Sequence, residues 1–121
     1  MSAAVLLGVG LLGGVGATAR FVLDGAVSAR TAGRFPFGTL AVNVSGSLVL
    51  GLFAGLALGG DAGRVLGTGL IGGFTTFSTW ALESHRLGED GELGLGAANF
   101  AVSLLLGVTA AWIGRRLGGL L

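Results

Sequence analysis

The densest polar stretch in the apolar part of this chain is Gly72-Gly73-Phe74-Thr75-Thr76-Phe77-Ser78-Thr79-Trp80. A glycine pair followed by four hydroxyl residues is poor helix material. Glycine loses much backbone freedom in a helix, and Ser and Thr offer the backbone rival hydrogen bonds. In lipid a helix breaks only where the freed backbone is buried in protein or lines water. A break here leaves carbonyl oxygens pointing inward, and such carbonyls can hold Na⁺. The bland alternative is an unbroken helix whose hydroxyls bond back to the preceding turn.

Donors gather in the same apolar regions: the amides of Asn43 and Asn99, and the hydroxyls of Ser47, Thr75, Thr76, Ser78, Thr79 and Ser103. Phe74, Phe77 and Trp80 recur every three residues, and the edge of an aromatic ring is weakly positive. Such groups can replace the hydration shell of a small ion or polar solute. Hydroxyls also accept hydrogen bonds, so the lining alone does not choose between an anion, water and a small polar solute. Glu83 and Arg20 fall at segment ends on the same side, where they either pair at a mouth or stand as separate solvated ends. The only His is His85, also at a segment end, and Cys is absent. Disulfides and Cys-ligated metals are therefore excluded, and no catalytic set is visible. Seven Arg and a net charge of +1 provide no basic cluster for nucleic acid.

The elements that must position these groups follow from the charge distribution. Only 11% of residues are charged, against about 25% in soluble domains, and mean hydropathy is +0.88. Residues 1–19, 35–60, 65–82 and 93–114 contain no Asp, Glu, Lys or Arg. A helix needs roughly 20 apolar residues to cross the hydrocarbon. The expectation is an all-α membrane protein in one domain, 1–121. Its four spans lie at about 3–23, 38–59, 63–86 and 94–116, the third broken near the bilayer midplane. The first run lacks a preceding Lys or Arg, which favours a span over a signal peptide. Pro36 suits a helix start.

Four spans put both termini on one side. That side carries Arg64, Arg115 and Arg116, and the other carries Arg20, Arg30, Arg34 and Arg86. The positive-inside rule is then almost silent. Either one orientation prevails despite it, or both are made. Glycine, 26 of 121 residues, suits close helix packing in lipid. It lies on small-residue stripes that turn polar at one end: Gly8, Leu12, Gly16 and Arg20 in the first span, Asn43, Ser47, Gly51, Gly55 and Gly59 in the second, and Asn99, Ser103, Gly107 and Ala111 in the fourth.

The residues 72–79 string, with Glu83 behind it, resembles the CrcB/Fluc family of fluoride channels. The resemblance covers the whole chain. It includes Gly13-Gly14-Val15-Gly16-Ala17-Thr18-Ala19-Arg20, Gly38-Thr39-Leu40-Ala41-Val42-Asn43, Ser45-Gly46-Ser47, Ser103 and Gly107. It implies an antiparallel, dual-topology homodimer in the cell membrane with two fluoride pores along the subunit interface. One structural, non-transported Na⁺ would be held by the Gly72 and Thr75 carbonyls of both copies. Asn43, Phe77, Trp80, Ser78, Thr79 and Ser103 would line the pore and Arg20 its vestibule; Glu83, Asn99 and Ser47 are further candidates. Transport would be passive export of fluoride, and a sister chain could replace one copy. Two positions depart from the family pattern: Trp80 stands where a second Phe is usual, and Asn99 where a Tyr often occurs.

Two rival readings remain. A small multidrug-type transporter has the same size but needs a carboxylate within the first span, and none precedes Asp24. A non-transporting membrane subunit would have no use for donors along the small-residue stripes.

Overall fold

The computed structural model describes residues 1–121 and is all-helical, with no strand. Its elements are α1 (Ala3–Ser28), α2 (Phe37–Gly55), a turn α3 (Gly60–Gly63), a π-helical segment (Arg64–Ile71), a turn α4 (Gly72–Phe74), α5 (Phe77–Glu89) and α6 (Leu93–Leu120). Three helices are long and apolar enough to cross a membrane: α1, α2 and α6. The third charge-free run contains no such helix, because it is interrupted at Thr75–Thr76.

The helix ends have local causes. At the start of α1, the Ser2 side chain accepts from Val5 N at 3.2 Å, as an N-cap does. This helix runs past the expected residue 23 to Ser28, because Asp24 is carried on the helix and accepts from Ser28 Oγ at 3.2 Å. Pro36 occupies the N-cap of α2. That helix stops at Gly55, short of the expected 59, and Ala57 then takes a positive φ of 56°, a conformation costly for a residue with a Cβ.

α2 and α6 form the most extensive helix pair, and α1 packs along the π segment and α4. Glycines set both approaches. A methyl group at Gly51 would collide with the Ala111 carbonyl, and one at Gly114 with the Leu48 carbonyl. On the other side a methyl at Gly16 would strike the Leu70 carbonyl, and one at Gly73 the Gly13 carbonyl. Small residues therefore let the backbones touch, which is how helices associate without a hydrophobic driving force in lipid.

Little of the chain is buried in itself: 17 of 121 residues, with Val42 and Asn99 the largest that are fully enclosed. Phe21, Phe77, Leu11, Leu105 and Trp112 are all exposed by 60% or more. Apolar exposure on this scale requires lipid or further protein as the surroundings.

Candidate functional site

The interruption between α4 and α5 is built around Thr76. Its φ of −144° and ψ of 121° are extended, so the backbone turns both polar groups out of the helix. Asn43, on α2, takes both. Its Nδ2 donates to Thr76 O at 2.8 Å, and its Oδ1 accepts from Thr76 N at 2.8 Å. The side-chain amide thus replaces a peptide group opposite the break, and no backbone polar group of Thr76 is left bare.

Thr76 also caps the helix that follows. Its Oγ1 accepts from Thr79 N at 3.2 Å and donates to Thr79 Oγ1 at 3.1 Å. These two side chains change which carbonyls are free. In an uninterrupted helix Thr76 N would donate to Gly72 O, and Thr79 N to Thr75 O. Both donors are diverted, one to Asn43 Oδ1 and the other to Thr76 Oγ1.

On one side of the break lies a groove of about 400 Å³ between α2, α5 and α6. Its polar lining is Asn43, Ser47, Thr75, Thr76 and Ser103, and Phe77 and Trp80 supply its rings. Phe77 is 73% exposed, while Trp80 is only 9% exposed. The two rings meet edge to face, with centroids 5.2 Å apart at 76°. Trp80 also stacks on Phe100 at 4.8 Å and 20°. Asn43, whose Nδ2 carries a second N–H beyond the one given to Thr76, is one of the residues of this wall.

On the other side lies a cavity of about 210 Å³ lined by Arg20, Phe21, Asp24, Thr39, Val42, Thr76 and Thr79. Thr76 is shared by both spaces. Arg20 and Thr79 therefore stand across the break from Phe77 and Trp80. Ser78 is exposed and lines neither space, and Gly72 is exposed just before the break.

Two further candidates take specific places. Glu83 does not pair with Arg20: the ion pairs of the chain are Arg34 with Asp90 and Glu92, Arg64 with Asp61, and His85 with Glu89. Glu83 instead accepts from the buried Thr39 hydroxyl. It lines a separate recess with Arg34, Arg86 and Asp90. Asn99 has no exposed surface and stands behind the groove wall, bonded to Ser84 and Ser103.

Sequence reasoning passed over Thr39 and Ser84, whose partners are 44 and 15 residues away and leave no local trace. The capping role of Thr76 did leave one: a Thr immediately before the resumed helix is a strong N-cap signal.

The model of the family described as "CrcB-like protein, Camphor Resistance (CrcB)" matches residues 7–115. The chain belongs to the CrcB family. It is 52% identical over 117 residues to the fluoride-specific ion channel FluC 2 of Mycolicibacterium paratuberculosis, covering 97% of this chain and 96% of that one. It is 44% identical to the fluoride-specific ion channel FluC 1 of Symbiobacterium thermophilum, covering 91% and 94%. A third relative, the fluoride-specific ion channel FluC 1 of Leifsonia xyli, is 44% identical, covering 99% of this chain and 90% of its own. With its apolar helices, the CrcB chain is a multi-pass membrane protein.

Proposed function

We propose that this CrcB chain forms a fluoride-specific channel that lets the anion leave the cell passively, and that two copies in opposite orientations make the conducting unit. One observation carries this reading. A neutral polar wall (Asn43, Ser47, Thr75 and Ser103, with the Phe77 ring) faces an open groove rather than a closed cavity. Phe77 is 73% exposed there, so the chain supplies one side of a pore and leaves the other to a second copy. The relatives' names supply the ion.

The chemistry fits a small, strongly hydrated anion. Such an ion crosses only if close donors replace its water, and several weak sites let it leave again. Amides, hydroxyls and ring edges do this without a fixed cation to trap it. Arg20 is set apart in the second cavity, where its charge would draw anions to a mouth without gripping them in the groove. A cell-negative potential drives an anion outward, by about 2.3 kcal/mol per elementary charge per 100 mV.

A structural Na⁺ at the centre of the dimer also belongs to this reading. The residues fit it: Gly72 and Thr75 are the carbonyls whose helical donors Asn43 and Thr76 take away. An oxygen deprived of its N–H in lipid needs another partner. The ion would supply positive charge to those oxygens, while the chain's part is to hold the break open.

The test is efflux from liposomes holding the purified protein, followed with fluoride- and chloride-selective electrodes. The reading expects rapid fluoride release with chloride retained. Release of both ions, or of neither, would reject it. A cationic-drug exchanger would instead accumulate drug against a proton gradient.

A further inference from the structure

Two residues of the groove wall, Trp80 and Ser103, are held from behind by one residue that does not line the groove. Asn99 on α6 is 0% exposed, and every polar group it can spare is engaged. Its main-chain carbonyl accepts from Trp80 Nε1 at 3.2 Å. Its Nδ2 donates to Ser84 Oγ at 2.8 Å, and Ser84 Oγ donates to Trp80 O at 2.9 Å. Those three bonds close a ring between α5 and α6 that grips Trp80 by both its indole and its backbone. The fourth bond runs from Ser103 Oγ to Asn99 Oδ1 at 3.2 Å.

The directions in this network are fixed by elimination. The Trp80 carbonyl can only accept, so Ser84 must donate to it. The Ser84 oxygen then receives an N–H, which puts Nδ2 of Asn99 on that side and Oδ1 toward Ser103. Ser103 therefore spends its proton on Asn99, and its lone pairs face the groove. An anion beside Ser103 has to win that proton from Oδ1 by rotating the hydroxyl. The buried indole N–H needs an acceptor and finds it in the main chain of α6, to which the Asn99 amide ties α5 through Ser84.

We propose that Asn99 is a positioning residue for conduction: through Ser84 its amide ties the Trp80 backbone to α6 and so keeps the indole on the main-chain carbonyl of residue 99, and through Oδ1 it sets how readily Ser103 offers its proton to the passing ion. This rests on the fluoride reading above, in which Trp80 and Ser103 meet the ion. Asn99 itself does not.

The experiment uses full-length protein in liposomes on a Trp112→Phe background, so that Trp80 carries the only indole. Asn99→Leu keeps the branched shape and removes the amide, and Ser84→Ala removes only the middle link and is the milder variant. Fluoride efflux and the ¹⁵N-indole N–H resonance of Trp80 are read on each and on the double variant. Both single variants leave the indole's acceptor, the main-chain carbonyl of residue 99, in place, and are expected to shift the indole resonance by loosening α5 from α6. Each should lower fluoride flux on the order of fivefold, as loss of one net hydrogen bond implies. The double variant should be no slower than the slower single. Slower flux with an unmoved resonance overturns the proposal, as does a moved resonance with unchanged flux, or a double variant whose losses simply multiply. If Asn99→Leu does not fold, Ser84→Ala alone decides by the same two readouts. Background protein that fails to conduct fluoride rejects the function itself, while the resonance still reports whether Asn99 holds Trp80.

Discussion

Asn43→Asp changes one atom of the side chain, and the structure states what that atom does. The Nδ2 that donates to Thr76 O at 2.8 Å becomes an oxygen. The neighbouring bond from Thr76 N to Oδ1 survives. At neutral pH two acceptors then face each other across the break. Losing a hydrogen bond and leaving a half-buried carbonyl without its donor costs about 2–3 kcal/mol. A cost of about 2–3 kcal/mol is roughly 30- to 150-fold in the population of the correctly pinned break. The same change puts negative charge on the groove wall, so the ion is repelled as well. Fluoride efflux from liposomes, corrected for protein-free leak, should therefore fall at least about 30-fold at pH 7, by the same conversion. A carboxylic acid, in contrast, has an O–H that can replace the lost N–H. Acidifying the medium should recover part of the flux in Asn43→Asp and none in Asn43→Leu. Wild-type flux in Asn43→Asp at pH 7 would refute the reasoning, and so would equal recovery in both variants.

Phe77→Ile removes a ring edge from the open side of the groove; flux should fall by about two- to tenfold, since aromatic edge contacts are worth about 0.5–1.5 kcal/mol, while size-exclusion chromatography in detergent should show the proposed dimer unchanged. Thr76→Ala deletes the cap on Thr79 N and should lower thermal stability by about 1 kcal/mol, with Thr76→Ser close to wild type. Gly114→Val drives a side chain into the Leu48 carbonyl and should cost about 1–3 kcal/mol or more of stability, read as an earlier thermal unfolding transition with loss of the α2–α6 pair. Replacing Na⁺ with a large organic cation during purification should weaken the dimer, read as a shift toward monomer, whereas Asn43→Leu, which lets Thr76 N return to the Gly72 carbonyl, should blunt that dependence.

The charge-free runs made the apolar helices legible, because charge is too costly in lipid to be scattered along a span. α1, α2 and α6 stand where three of those runs lie. Residues 72–79 announced an interruption for an equally local reason: Gly-Gly and four hydroxyls each weaken a helix at the same place. What holds the interruption was not legible. Asn43 reads as a donor aimed at a solute, yet it bonds Thr76 through both ends of its amide, a pairing set by how α2 lies against the break. The Arg20–Glu83 pair suggested by their shared side fails because Thr39, one turn before Asn43 on α2, reaches Glu83 first. Asn99 looked like one more groove donor on the stripe with Ser103 and Gly107. The stripe faces α5 at that level, so Asn99 is enclosed. Periodicity gives the face of a helix, and only packing tells which neighbour that face meets.

Single-channel recording in a planar bilayer puts the central claim to its most direct test. With a tenfold fluoride gradient and equal chloride on both sides, a passive fluoride-selective pore passes a current that reverses about 59 mV from zero, at fluoride's own equilibrium potential. A reversal at zero, a reversal that follows the proton gradient, or no fluoride current from a correctly folded dimer would contradict it.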